Sequence, residues 1–326
     1  MTAPMEFSPW QQRAYAHAAA ALDGGRLGHA LLVCGPAQLG KRAVVDRLAQ
    51  RALCRTPESD GEPCGHCRSC QLFAAGTHPD HEVVSFIMNK EGTRLRAEIV
   101  IEQMRALSAR FALTAQYGGA QVVVVDPADA VNHHAFNALL KTLEEPQPGR
   151  YLWLLSTEPA RLPATIRSRC QKLEFRLPPP EEALAWLASR GHAETAAQEA
   201  LDAARGHPGL ADAWLRDGGL ELRRSVTEDL ARLARGDASP AETAQRWAAD
   251  EHAGLRLRFA ADHALAQASG LTDARRTRTL ATWFDSANRT RALLRTTIRA
   301  DLAIAELLLS WQSQAVVAKA AGGQRT

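Results

Sequence analysis

The sequence predicts an α/β domain, a parallel sheet with helices on both faces, followed by an all-helical remainder. Three observations carry this. An apolar run, Ala30-Leu31-Leu32-Val33-Cys34, leads through a glycine-bearing loop, Gly35-Pro-Ala-Gln-Leu-Gly-Lys-Arg42, into a helix-like run from Lys41 to Leu53. A continuous β-branched run from Gln121 ends in Asp126, as a parallel strand buried on both faces does. After Pro178-Pro179-Pro180 the composition shifts to Ala, Leu and Arg, and three prolines continue neither helix nor sheet.

The remaining elements follow in order. Phe7 to Leu22 reads as a first helix, with Ser8 as N-cap and Pro9 at the first helical position. Residues 54–81 are rich in Cys, Gly, Pro and His and form an irregular insertion. Val83 to Phe86 is a short strand, and Ile99 to Phe111 has helical spacing in Ile99, Met104, Leu107 and Phe111. Ala135 to Glu145 is predicted as one helix, since Phe136, Leu139, Leu140 and Leu143 share a face. Tyr151–Ser156 and Gln171–Phe175 complete the strands, and strands alternating with helices imply a parallel sheet. The expected divisions are 1–176 for the sheet domain, 177–218 for a small helical unit with a turn at Gly206-His-Pro-Gly209, and 219–326 for a second helical domain. The last helix is expected to carry Leu294, Ile298, Leu302, Ala305 and Leu309 on one face.

Composition narrows the function classes. At 46% hydrophobic and 23% charged, 326 residues describe an ordinary globular protein of two or three domains. No apolar run approaches the roughly 18 residues that span a bilayer, so no membrane role is expected. The N-terminus lacks the pattern of a secretory signal, and a cytoplasmic location is the expectation. A net charge of +3 is too small to argue for nucleic acid by itself.

The 35–42 loop carries the first chemistry. Gly35, Gly40 and Lys41, between a strand and a helix, suit a phosphate-binding P-loop whose backbone N–H groups and helix N-terminus hold phosphate oxygens. Such a loop needs Ser or Thr after the lysine to ligate Mg²⁺; this chain has Arg42. Asp126 stands where an acid helps hold Mg²⁺, but the residue after it is Pro127, where a hydrolysing site carries Glu. Asp129 does not simply replace it. Two parts of a hydrolysis site are absent, and the loop reads either as a nucleotide site without turnover or as a plain β–α turn. Ser156 and Thr157, closing the fourth strand, are expected beside it.

Cys54, Cys64, Cys67 and Cys70 have the spacing C-x9-C-x2-C-x2-C, which suits a tetrahedral thiolate zinc site. With all four positions filled, that zinc is structural. Cys34 and Cys170 stand apart, and Cys34 reads as core.

Taken together, Asn137-Ala-Leu-Leu-Lys-Thr-Leu-Glu-Glu-Pro146, Ser168-Arg-Cys170, the four-cysteine insertion and Gly76-Thr-His-Pro-Asp80 resemble bacterial clamp-loader subunits of DNA polymerase III. The resemblance covers nearly the whole chain and is weakest after about residue 216. It implies an AAA+ sheet domain, a helical lid and a helical collar, in a five-subunit ring with gamma/tau- and delta-type partners that loads the sliding clamp on primer-template DNA. It makes Arg169 an arginine finger given in trans, makes the four cysteines zinc ligands, and leaves ATP bound or absent at the loop but not turned over. Gly206-His-Pro-Gly-Leu-Ala211 lacks the arginine with which the family's motor subunits sense ATP. The stator type of subunit fits; a gamma/tau-type ATP-hydrolysing motor needs what Arg42 and Pro127 replace. A zinc-dependent nucleic-acid-binding protein is a further rival, weakened by the few basic residues, Arg55 and Arg68, flanking the cysteines. Arg291, Arg295 and Arg299, spaced by four, are expected on one helical face, either solvated or turned to an acidic partner or DNA.

Overall fold

The computed structural model describes residues 7–322, apart from 90, 118, 271, 295 and 297. It divides into two compact units, 1–212 and 213–326.

In the first unit, α1 (Pro9–Asp23), β1 (Ala30–Cys34) and α2 (Lys41–Leu53) are followed by α3 (Arg68–Ala74), β2 (His81–Val84) and α4 (Ile101–Phe111). Then come β3 (Gln121–Val125), α5 (His133–Asn137), α6 (Leu140–Glu144), β4 (Arg150–Ser156), α7 (Ala164–Arg167) and β5 (Gln171–Glu174). The five strands form one sheet in the order β2-β3-β4-β1-β5, and every pairing is parallel. β4 therefore lies between the strand that feeds the 35–42 loop and the strand that ends at Asp126.

The alternation of side chains along each strand divides the core in two. Leu32, Val123, Val125, Leu152 and Leu154 face α4 and α5 through Met104, Leu107 and Phe136. Leu31, Val33, Val122, Val124 and Trp153 face α1 and α2 through Ala18, Val44 and Leu48. This is why β1 and β3 are buried at every position: a strand covered on both sides has no solvent face.

The predicted helix from Ala135 to Glu145 is two helices. Ser108 Oγ donates to the Ala138 carbonyl at 3.0 Å, while the Ala138 and Leu139 N–H groups bond three residues back rather than four. The predicted apolar face survives the break, with Phe136, Leu139 and Leu143 buried. α8 (Pro180–Ser189) and α9 (Glu194–Ala203) close this unit, and α10 (Pro208–Arg216) runs through the division.

The second unit holds α11 (Gly219–Arg235), α12 (Pro240–Ala248), α13 (Ala253–Ser269), α14 (Ala274–Leu293) and α15 (Ala300–Gly322). The last helix begins later than residue 294, and a different face is buried: Ile304, Leu307, Leu308 and Trp311 are core, whereas Leu302 and Leu309 are exposed. Two tryptophans set this rotation. Trp311 Nε1 donates to the Leu230 carbonyl at 2.9 Å and Trp283 Nε1 to the Leu307 carbonyl at 3.1 Å, bonds that buried indoles require. The arginine stripe is likewise not one face: Arg291 lies in the last turn of α14, Arg299 precedes α15, and Arg295 lies outside the described residues.

Candidate functional site

The 35–42 loop is held by its carbonyls, from within and from outside. Lys41 Nζ donates to the Gly35 and Pro36 carbonyls at 2.8 and 2.7 Å. Trp10 Nε1 and Gln11 Nε2, on the first turn of α1, donate to the Leu39 and Gly40 carbonyls, each at 3.1 Å. His207, just before α10, meets the Ala37 carbonyl through Nε2 at 2.8 Å. The N–H groups of Gln38 to Arg42 meet no protein acceptor among the described residues. Carbonyls turned outward and N–H groups left free at a helix N-terminus are the makings of an anion cradle.

Gly35, at φ +134°, passes so close to Phe175 that a Cβ would lie 2.1 Å from its carbonyl oxygen. A Cβ on Gly209 would lie 2.0 Å from the Gln38 carbonyl oxygen, so the 206–209 turn rests on the loop backbone itself. Lys41 is buried, and burial lowers its pKa against the opposing charges of Asp126 and Asp129.

Arg42 stands where the loop pattern asks for a hydroxyl, and its guanidinium is paired. Its Nη1 donates to Asp126 Oδ2 at 3.1 Å and its Nε to Asp46 Oδ1 at 2.7 Å. The guanidinium thus bridges from the start of α2 across β4 to the acid that ends β3. Asp129 is also committed: it accepts from Ser156 Oγ, from Thr157 N–H at 2.7 Å and from Thr157 Oγ1 at 2.8 Å. Ser156 and Thr157 do lie at the expected edge, but Asp129 holds them there. The sequence offered no signal for that partnership beyond an acid three residues past a strand.

The four cysteines converge. Their Sγ atoms all lie within 4.8 Å of one another, with Cys54 Sγ 3.7 Å from Cys64 Sγ and 4.0 Å from Cys67 Sγ. A tetrahedron of Zn–S bonds has edges of about 3.8 Å, so the quartet fits a zinc ion. Backbone N–H groups of Cys64, Cys67 and Cys70 point at the sulfurs of Cys54, Cys64 and Cys67 at 3.4 to 3.5 Å, which stabilises thiolates. The Cys64 thiol falls to about 6, chiefly through its contact with the Thr56 hydroxyl. Cys34 and Cys170 are buried elsewhere in the core.

His78 wires this module to the sheet. Its Nδ1 accepts from Asp80 N–H at 3.0 Å, and its Nε2 lies 2.7 Å from Ser69 Oγ, which donates onward to the Leu53 carbonyl at 2.6 Å. The chain of donors requires a neutral imidazole protonated at Nε2, and burial lowers the His78 pKa accordingly.

Arg169 is not part of the loop site. It precedes β5, which runs parallel to β1, so it stands at the edge where strands begin, while the loop follows the edge where they end. Five residues of β1 put roughly 13 Å of strand between the two edges. There Arg169 Nη2 donates to Glu144 Oε1 at 2.7 Å and Nη1 to the Thr165 carbonyl at 2.9 Å.

The sheet order, the loop at the end of β1 and the acid at the end of β3 define an AAA+ P-loop protein, one in which that acid is paired with an arginine of the following helix. A family model described as "DNA polymerase III, delta subunit" matches residues 10–179. DNA polymerase III subunit delta' of Pseudomonas aeruginosa is 39% identical over 243 residues, 73% of this chain and 70% of that one. Subunit delta' of Escherichia coli K12 is 36% identical over 232 residues, 70% and 66% of the two chains. A gamma/tau subunit of Mycobacterium tuberculosis is 34% identical over 178 residues, 55% of this chain and 29% of that one. The chain belongs to the delta-prime family of DNA polymerase III clamp-loader subunits.

Proposed function

We propose that the chain is the stator of a five-subunit clamp loader. In this reading it turns over no ATP itself and gives Arg169 in trans to a neighbouring gamma/tau-type subunit, while the ring, which also holds a delta-type subunit, loads the sliding clamp onto primer-template DNA. The observation that carries it is the ion pair between Arg42 and Asp126. A cation fixed there leaves Asp126 no vacancy for Mg²⁺, and Pro127 offers no carboxylate to orient water. A site missing both has lost the charge neutralisation and the nucleophile positioning on which phosphoryl transfer depends. The free N–H groups beside Lys41 support ATP phosphates held without hydrolysis. The position of Arg169 at the opposite edge of the sheet supports service to another chain's phosphates rather than its own. The residues 177–218 act as lid and 219–326 as collar, and Cys54, Cys64, Cys67 and Cys70 hold a structural zinc.

The test is ATP turnover by the purified chain, then by the ring reconstituted with gamma/tau- and delta-type subunits, clamp and primed DNA. The stator reading expects no turnover alone, and a ring whose stimulated turnover falls in Arg169→Ala with assembly intact. A finger is worth roughly 10³–10⁵ in rate at the site it serves. Mg²⁺-dependent turnover by the chain alone would replace this reading with that of a motor subunit.

A further inference from the structure

We infer that Glu144 is a positioning residue for Arg169: it holds the guanidinium in the pose from which it meets a phosphate of the neighbouring subunit. The inference rests on the reading of Arg169 as a finger given in trans.

Two segments far apart in sequence meet here. Glu144 ends α6 and Arg169 follows α7, and each is seated beside buried side chains. Leu143 precedes Glu144, while Ile166 and Cys170 flank Arg169, and all three belong to the same core. The backbone at both positions is therefore held by packing, and the ion pair links two fixed points. Glu144 Oε1 receives Nη2 at 2.7 Å, and the Thr165 carbonyl receives Nη1 at 2.9 Å. These two bonds come from different nitrogens and point the guanidinium plane. They use two of its five N–H donors, leaving three for an incoming anion.

The pair is also exposed in a telling way. The side chains retain 36% and 50% of their accessibility, so the pair adds little to the stability of the fold, as open ion pairs do. An arginine in solvent samples many rotamers, and each must be given up when it docks on a phosphate. Glu144, with the Thr165 carbonyl, reduces that freedom beforehand. The guanidinium stays cationic and keeps donors free, so the contact prepares the finger without consuming it.

The test uses rings reconstituted with Glu144→Ala, Glu144→Gln, Arg169→Ala and the Glu144→Ala/Arg169→Ala double variant, with assembly checked by size. The readout is the finger-dependent turnover, the part of the ring's ATPase that Arg169→Ala removes. We expect Glu144→Ala to lower its kcat roughly tenfold with KM for ATP nearly unchanged, the order of loss that a misplaced catalytic group brings. Glu144→Gln keeps an acceptor at the same place and should recover part of the loss. The double variant should be no worse than Arg169→Ala, because Glu144 acts through the arginine. Full turnover in Glu144→Ala beside a defective Arg169→Ala ring overturns the inference and leaves the finger standing. Faster turnover in Glu144→Ala overturns it too, making Glu144 a competitor for the guanidinium. An Arg169→Ala ring with full activity overturns both.

Discussion

Arg42 and Asp126 are paired across a strand to which neither belongs. Arg42 opens the helix after β1, Asp126 follows β3, and β4 lies between those strands; the guanidinium spans the gap to place Nη1 3.1 Å from Oδ2. A tethered guanidinium thus stands beside the loop, on the acid that follows β3.

Arg42→Thr should return the Mg²⁺ position. The pair is partly exposed, so its loss costs under about 1 kcal/mol and the variant folds. Titration with ADP should then show binding roughly tenfold or more tighter with Mg²⁺ than without. Turnover should stay absent because Pro127 supplies no base. Equal affinity with and without Mg²⁺ would mean that Asp126 is not a metal ligand in this chain.

Metal analysis should return about one zinc per chain, and Cys67→Ser should abolish it. Chelation should unravel residues 54–76 while the parallel sheet persists, because α2 and β2 are held by their own core contacts. Hydrogen exchange across α3 separates this outcome from global unfolding.

Acid should weaken the seam between the cysteine module and the sheet. Burial, aided by the charge of Arg42, lowers His81 to about 4, and burial lowers His78 too. The unfolded chain takes up the His81 proton near pH 6.5 and the folded chain only near 4. Stability is therefore full above about 6.5 and falls as pH drops through that window, by on the order of 2–3 kcal/mol for His81. His81 stacks on Phe73 at 4.6 Å between centroids, and its Nε2 is buried without a partner among the described residues. His81→Phe should fold and show a flatter pH dependence in urea titrations at pH 5 to 7.

Gly209→Ala should lift the 206–209 turn from the loop. The added methyl meets the Gln38 carbonyl oxygen, which is backbone and does not yield as a side chain would. The overlap and the lost contact between His207 and Ala37 should together cost about 1–3 kcal/mol. Faster proteolysis at residues 204–207 with the sheet intact would register it; an unchanged pattern would refute the packing.

The sequence by itself determined the sheet, the loop and the convergence of the four cysteines. Continuous apolar runs are legible because a strand covered on both faces tolerates nothing else, and cysteine spacing is legible because four thiolates must reach one point. Arg42 and Pro127 raise the expectation of a site without its hydroxyl and its base. What only the tertiary structure decided is pairing. That Arg42 reaches Asp126, that Glu144 meets Arg169, and that His207 and Gly209 rest on the loop all depend on strand order and on turns that bring distant residues within hydrogen-bond range. The face buried by the last helix was decided the same way, by two indole N–H groups that had to find carbonyls. Local periodicity records how often a residue recurs, whereas partners are set by the crossing of elements, which no window of sequence contains.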